Sequence, residues 1–442
     1  MDLEGYAKRG IRRNDRNLKD NLVERILEIK KISQKQAGEI ANAVIVEAKA
    51  TIDPAGDLLT PVNSGVTMGD FGVGSRGAGD FYAHEKIAEV IGKTSAVVDS
   101  SHLDDSGVVR GNGQYIVVTI DGIHSRLSDF PFLAGFHVAR AALRDVYVMG
   151  AHPVALLSDI HVADDGDVGK IFDHIAGITT VSELTGIPLI TGSTLRIGGD
   201  MVIGDRMTGG VGAVGVADNL TARIQAMPGD MILMTEGAGG GTVSTTALYY
   251  GKHHLVEETI NLKFIDACEA LLDAGLIENI HAMTDVTNGG VRGDAKEIAR
   301  TAGVKLVFEE EKLRALVNIK ILDMLDDLEI DYLGVSLDAL LIIAPPEHVV
   351  DILECVHKSG VAIDIVGKVV NGEGSELIIN GKISDFTPRF RESAYTPIKK
   401  IAGEKTPKNF DAMKKAVDKA ALDAITKKRR IIKRLKTKTC VE

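Results

Sequence analysis

A chain of 442 residues is longer than one ordinary hydrophobic core supports, so two domains are the first expectation. Its 45% hydrophobic and 26% charged content describes a globular protein, and 4% aromatics without a single Trp leaves little for a base-stacking surface. The net charge of -11 argues against bulk affinity for nucleic acid; the basic tail from Lys399, ending in KKRRIIKRLK, is the only feature that points toward it.

The chain opens with helical periodicity. Leu18, Leu22, Ile26 and Ile29 share a face, and Ser33 with Gln36 forms a capping box for a second helix. This helical extension, residues 1–55, closes around Pro54. A glycine-rich stretch, NSGVTMGDFGVGSRGAGDF, then feeds an amphipathic segment from Tyr82 to Ile91. Next comes a hairpin whose turn is expected at Gly111-Asn112. It carries Asp104 and Asp105 before its first strand and Asp121 after its second. Folding the strands gathers these acids at one end of a sheet, and like charges that close are unfavourable unless a cation lies among them.

Residues Phe132 to Met149 read as a helix stopped by Gly150, with Asp145 in the last turn, where the helix dipole disfavours a carboxylate. PVALLSDIHV, IPLITGST and MTGGVGAVGVA read as strands, and a helix follows Gly166. From Met227 the same grammar of strand, glycine loop (Gly237–Gly241) and helix begins again, which sets a boundary between residues 56–226 and 227–385. A helix near Phe264–Ala274, the acid-bearing MTDVTNGG around Asp285, apolar DALLIIAPPE, a helix from Glu347 and strand-like AIDIVGKVV complete the second domain. Elements alternating without one long parallel pattern give a mixed α+β class. Residues 386–442 read as a linker and a charged helix from about Asn409 to Lys436, so removal of everything after Thr387 is expected to spare ligand binding. The three cysteines, Cys268, Cys355 and Cys440, are widely separated and suit a reducing, cytoplasmic setting. The charged N-terminus and the absence of a long apolar run argue against secretion and membrane insertion.

Five acids at the ends of apolar elements, Asp104, Asp105, Asp121, Asp145 and Asp285, are the candidate metal ligands. Mg²⁺ on nucleotide phosphates needs only a few carboxylates, because water and phosphate oxygens complete its shell. The glycine loops offer backbone N–H donors to the same phosphates, although no Walker sequence is present.

In this order the motifs resemble the aminoimidazole ribonucleotide synthetase-like superfamily, which includes selenophosphate synthetase, thiamine-monophosphate kinase and the hydrogenase maturation factor HypE. Asp104-Asp105-Ser106-Gly107-Val108 resembles the family's D-D-A-A-V, and Thr119-Ile120-Asp121 its T-x-D strand end. Asp145-Val146-Tyr147-Val148-Met149-Gly150-Ala151 with Pro153 is similar to S-D-V-Y-A-M-G-G-x-P of selenophosphate synthetase. Gly192-Ser193-Thr194 falls where the family has G-[DH]-T, Thr284-Asp285-Val286-Thr287 resembles T-D-V-T, and Leu337-Asp338 through Pro346 is similar to the late G-E-x-L-L-x-x-x-P-P. The resemblance spans roughly residues 60 to 385. It implies Mg²⁺-ATP held by the five acids, with Gly72, Gly74, Ser75, Gly77, Thr119, Gly192, Ser193, Thr194 and Asn288 toward the nucleotide. It also implies a homodimer whose N-terminal sheets close into a shared barrel, and a small-molecule substrate that is phosphorylated or otherwise activated. A thiamine-monophosphate kinase-like enzyme and a non-catalytic nucleotide-binding assembly subunit are the alternatives.

The departures are specific. GDFGVGSRGAGDF lacks the Cys or selenocysteine and the Lys of selenophosphate synthetases, leaving Ser75 and Arg76 as its comparable polar groups. Ser193 replaces an acid or histidine, with Asp200 nearby as a substitute. Arg76 and His124 are the candidate catalytic groups, His161 with Asp164, Asp165 and Asp167 is a second metal-like cluster on paper, and Cys440 stands near the C-terminus as a candidate carrier thiol.

Overall fold

The computed structural model describes residues 1–287, 289–392 and 394–439. Expectations placed on Asn288 and Cys440 lie outside these residues. Three helices lead the chain: α1 (Leu3–Arg12), α2 (Leu18–Ile29) and α3 (Gln34–Thr51), the last capped by Ser33 and Gln36 in the expected box. Leu3, Leu22, Ile26, Ala37 and Ala41 give them a small core of their own, which reaches the body through Ile203. The short α4 (Met68–Phe71) and α5 (Ala78–Ile91) flank the glycine-rich loop.

The first domain is built on a five-stranded sheet in the order β1-β2-β5-β3-β4. Its strands are β1 (Gly107–Gly111), β2 (Gln114–Gly122), β3 (His152–Val162), β4 (Leu189–Arg196) and β5 (Met207–Ala217). The hairpin turns at Asn112-Gly113, one residue later than the sequence suggests, with φ of 50° and 89°. Two adjacent left-handed residues match the right-handed twist of the strands, and Asn-Gly supplies them at least cost. α6 (Pro131–Tyr147) crosses one face of this sheet with α7 (Gly169–Thr185) beside it. α6 is buried almost all round, because its outer side packs on α9 (Lys263–Asp273) of the second domain. One continuous core therefore joins the domains, and every charged group on α6 lies inside it.

The second domain holds a seven-stranded sheet in the order β12-β11-β8-β10-β6-β9-β7. Its strands are β6 (Met231–Thr235), β7 (Ala282–Asp285), β8 (Lys305–Glu309), β9 (Leu340–Ala344), β10 (Ile363–Val370), β11 (Gly374–Ile379) and β12 (Lys382–Asp385). Only β8–β11 is parallel among its pairings. α8 (Gly241–Tyr249), α10 (Gly290–Ala302), α11 (Glu310–Ala315), α12 (Ile319–Asp327) and α13 (Val349–Lys358) cover the sheet.

The segment after Asp385 is not a free linker. Phe386, Phe390, Glu392, Tyr395 and Thr396 are all buried, and the chain crosses back to the glycine-rich loop before α14 (Pro397–Ala402) and α15 (Phe410–Thr439). α15 lies along α5, where Asp418 accepts from Tyr82 Oη at 2.6 Å and pairs with Lys86 at 3.0 Å. Lys428 reaches the last carbonyls of α5, and Arg430 pairs with Asp57. No helix among the described residues is long and apolar enough to cross a membrane.

Candidate functional site

The ends of β2, α6 and β7 meet at one side of the domain junction. Asp105 comes from the loop before β1, Asp145 from the last turn of α6 and Asp285 from the end of β7. One carboxylate oxygen from each lies within 4.8 Å of the other two. All acceptors are hard oxygens, which suits Mg²⁺ and not a softer metal. Asp104 and Asp121 line the same cavity, of about 520 Å³, but stand outside that group of three. Asp104 accepts from the Arg223 backbone N–H at 3.0 Å, and Asp121 from Gly122 N–H at 2.8 Å.

Seven carboxylates line the cavity against three guanidinium groups, Arg76, Arg144 and Arg223. The cations are unevenly placed. Arg223 is 2% exposed and binds Asp105 at 2.6 Å and Glu297 at 2.8 Å. Arg144 binds Asp285 at 3.1 Å and also Asp338, which Arg140 engages from the other side. Asp145 forms no ion pair within 4 Å among the described residues, feeling the Arg144 charge only at longer range; the Thr119 hydroxyl donates to it at 2.8 Å. Burial, and then the charges of Asp285, Asp121 and Asp105, push its carboxyl well above the usual range. Burial likewise raises Asp285 to about 7 and Asp104 to about 6, and raises Asp105 and Asp121. Asp338 goes the other way, because Arg144 and Arg140 outweigh its burial and hold it ionised. Ionising all three acids that face one another is thus unfavourable, Asp145 above all, and a divalent cation relieves that condition.

The glycine-rich loop closes one wall. Gly72 and Gly74 have φ of 76° and 81°, conformations that a side chain would strain. Its amides are already engaged: Gly74 and Arg76 N–H donate to the Asp80 carboxylate at 2.9 and 2.7 Å. Ser75 is buried and donates to the Gly72 carbonyl. Arg76 points into the cavity, its guanidinium 3.3 Å from Glu297. A Cβ at Gly77 would fall 2.2 Å from the Phe390 carbonyl, so the loop can lie against the C-terminal segment only with glycine there.

Other expected residues fall elsewhere. Gly192, Ser193 and Thr194 lie on the exposed edge strand β4, lining a separate cavity on the sheet, away from the acids within this chain. Asp200 pairs with Arg196 and so does not stand in for an acid at Ser193. The His161 cluster is structural: Asp164 and Asp165 bind Lys30 of the helical extension at 2.5 and 2.8 Å, Asp167 accepts from Gly169 N–H at 2.6 Å, and His161 faces Asp159 at 3.0 Å. Sequence reasoning missed Arg140, Arg144, Arg223, Asp294 and Glu297. The i,i+4 arginines inside the apolar FLAGFHVARAALRDVYVMG were a visible signal, as were Asp294 and Glu297 one turn apart on a helix face.

Comparison with known proteins decides the lineage. The family profile described as AIR synthase related protein, N-terminal domain, matches residues 103–217, and its C-terminal counterpart matches residues 227–380. The chain belongs to the AIR synthase-related superfamily. Among superfamily proteins, the uncharacterized Methanocaldococcus jannaschii protein MJ1416 is 53% identical over 450 residues, covering 99% of this chain and 98% of its own. A selenide, water dikinase of Geobacter metallireducens is 33% identical over 231 residues, covering 50% of this chain and 64% of that enzyme. The crystal structure of hydrogenase maturation protein HypE in complex with ATP has a TM-score of 0.53 at 17% identity, over 70% of this chain and 92% of that one. That likeness shows a shared fold.

Proposed function

We propose that this protein binds Mg²⁺-ATP at the junction of its two AIR synthase-related domains and uses it to phosphorylate or otherwise activate a small substrate. The observation that carries this reading is the convergence of Asp105, Asp145 and Asp285, delivered by separate elements, with no ion pair within 4 Å of Asp145 among the described residues. The donor set fits the ion. Asp105, Asp145 and Asp285 would hold it, and Asp104 and Asp121 would lie beside it. When bound, Mg²⁺ neutralises charge on the phosphates and on the group in transfer.

The chain's own residues contribute position and charge. Arg76, on the glycine-rich loop, and Arg144 face the cavity and are placed to meet an anionic phosphate. The relatives support the reading: one is a selenide, water dikinase, and a structural neighbour holds ATP. Selenide as the substrate is disfavoured by the glycine-rich loop, which presents Ser75 and Arg76 and no Cys or Lys.

The test is calorimetry of Mg²⁺-ATP binding followed by ATP turnover across a panel of small acceptors. Binding with acceptor-dependent ADP release supports the enzyme. Binding without turnover favours a nucleotide-binding assembly subunit, a reading consistent with loop amides already engaged by Asp80. No binding removes both.

A further inference from the structure

His124 stands three residues past Asp121, where the two domains and the C-terminal segment meet. Its Nε2 lies 3.1 Å from the Tyr395 hydroxyl and its Nδ1 3.1 Å from the Thr245 hydroxyl. The relative lengths of these contacts assign the protons. The Thr245 hydroxyl lies 2.7 Å from the Gly241 carbonyl oxygen, shorter than its 3.1 Å contact to Nδ1, and this shorter contact assigns its single hydrogen to the carbonyl. Nδ1 must then donate to Thr245. Nε2 is left with its lone pair, and Tyr395 donates to it. Burial, with Lys399 and Arg126 nearby, holds the His124 pKa down to about 4, which agrees with a neutral ring.

Tyr395 is 3% exposed and travels on a segment that also holds the opposite wall. The Arg389 carbonyl accepts from Ala78 N–H at 2.9 Å, and Glu392 N–H donates to the Ser75 carbonyl at 3.1 Å. The Arg391 guanidinium donates to the Gly69 carbonyl at 2.6 Å. Glu392 is anchored by buried Arg292 at 2.7 Å, and Arg389 by Asp331 at 2.8 Å. One strap of chain therefore fastens both the glycine-rich loop and His124, which flank the acids from different sides.

We propose that Tyr395 is a positioning residue of the cleft: its hydroxyl fixes His124 as the Nδ1–H tautomer, and the strap that carries it, residues 386–392 and 394–404, holds the glycine-rich loop in place. The proposal rests on the nucleotide reading above. In this arrangement both ring nitrogens are engaged, so His124 serves as a strut between Thr245 and Tyr395 and not as a general base.

Tyr395→Phe keeps the ring and removes only the hydroxyl. Nitrogen-15 spectra of histidine-labelled, nucleotide-free protein near pH 7 report the His124 ring directly. The expected wild-type pattern is a protonated Nδ1 and a hydrogen-bonded, unprotonated Nε2. In the variant Nε2 should shift toward a free acceptor, with the Nε2–H tautomer gaining roughly fivefold. Mg²⁺-ATP affinity should fall by about fivefold at unchanged circular dichroism. A wild-type ring protonated at Nε2, or a ring indifferent to the substitution, overturns the assignment whether or not nucleotide binds. A shifted ring with affinity unchanged within about twofold overturns the positioning role. Absence of Mg²⁺-ATP binding in the wild type fails the nucleotide reading and the cleft role with it, and the spectra still decide the His124–Tyr395 contact.

Discussion

Asp145 sits where a carboxylate is least welcome: in the last turn of α6, half-buried at the cavity wall, beside two other acids and with no ion pair within 4 Å among the described residues. Replacing it with the isosteric amide should have opposite effects on stability and on binding. At pH high enough to ionise the wild-type carboxyl, Asp145→Asn removes like-charge repulsion and should raise the melting temperature of the metal-free protein. The same change should weaken Mg²⁺-ATP binding about tenfold or more by calorimetry, and Asp105→Asn should match that loss. Unchanged affinity in both variants would remove these acids from the metal site. Asp285 adds a pH signature. Its folded pKa of about 7 lies above its ordinary value of 3.8, so the folded state holds the proton more tightly than the unfolded chain. That contribution to stability is full below about pH 4 and is lost as pH rises through about 7. Metal-free protein should therefore lose stability between pH 5 and 7.5 more steeply than Asp285→Asn, and Mg²⁺-ATP should flatten the difference. Parallel melting profiles for the two proteins would contradict the assignment.

At the scale of elements, the strap after Asp385 is the main revision to what the sequence suggests. Because it holds the glycine-rich loop, truncation after Thr387 should abolish Mg²⁺-ATP binding, whereas the sequence alone leads one to expect it to be spared. Phe390→Ala is the milder probe. Its ring is 2% exposed and packs on Phe410 at 5.0 Å and against Gly72 and Gly79, so its loss should cost about 3 kcal/mol by denaturant unfolding. A cost below about 1 kcal/mol would mean the strap is loosely held. The strap was illegible for a physical reason: its buried Phe386, Phe390 and Tyr395 are spaced four and five apart in irregular backbone, so no helical or strand period appears in FTPRFRESAYTPIKK. The periodic elements were legible. The expected strand MTGGVGAVGVA is β5 to the residue, and the helix ending before Gly150 is α6. Arg223 and Glu297 were hidden because a lone charged residue in a sequence reads as solvated, and only tertiary packing shows that these two neutralise each other in the interior. The hairpin acids were legible as a cluster because register alone brings them to one sheet end.

For the molecule as a whole, one face of the N-terminal sheet remains uncovered. Val118 and Ile120 on β2 and Leu195 on β4 share it, at 45%, 74% and 59% exposure. Apolar strand residues this open are expected to pair with a second copy of the chain. Sedimentation should then give a dimer at micromolar concentration, with Ile120→Lys shifting it to the monomer; a wild-type species near 47.2 kDa would contradict that. The two domains form the acid-lined cleft and the strap fastens its glycine-rich wall, while the helical extension packs elsewhere on the first domain. The most direct test is anomalous diffraction from crystals grown with Mn²⁺ and a non-hydrolysable ATP analogue. An anomalous peak about 2.2 Å from carboxylate oxygens of Asp105, Asp145 and Asp285, bridging to phosphate, is the predicted result. A nucleotide bound with its metal elsewhere, or Mn²⁺ absent from this acid cluster at saturating concentration, would contradict the account.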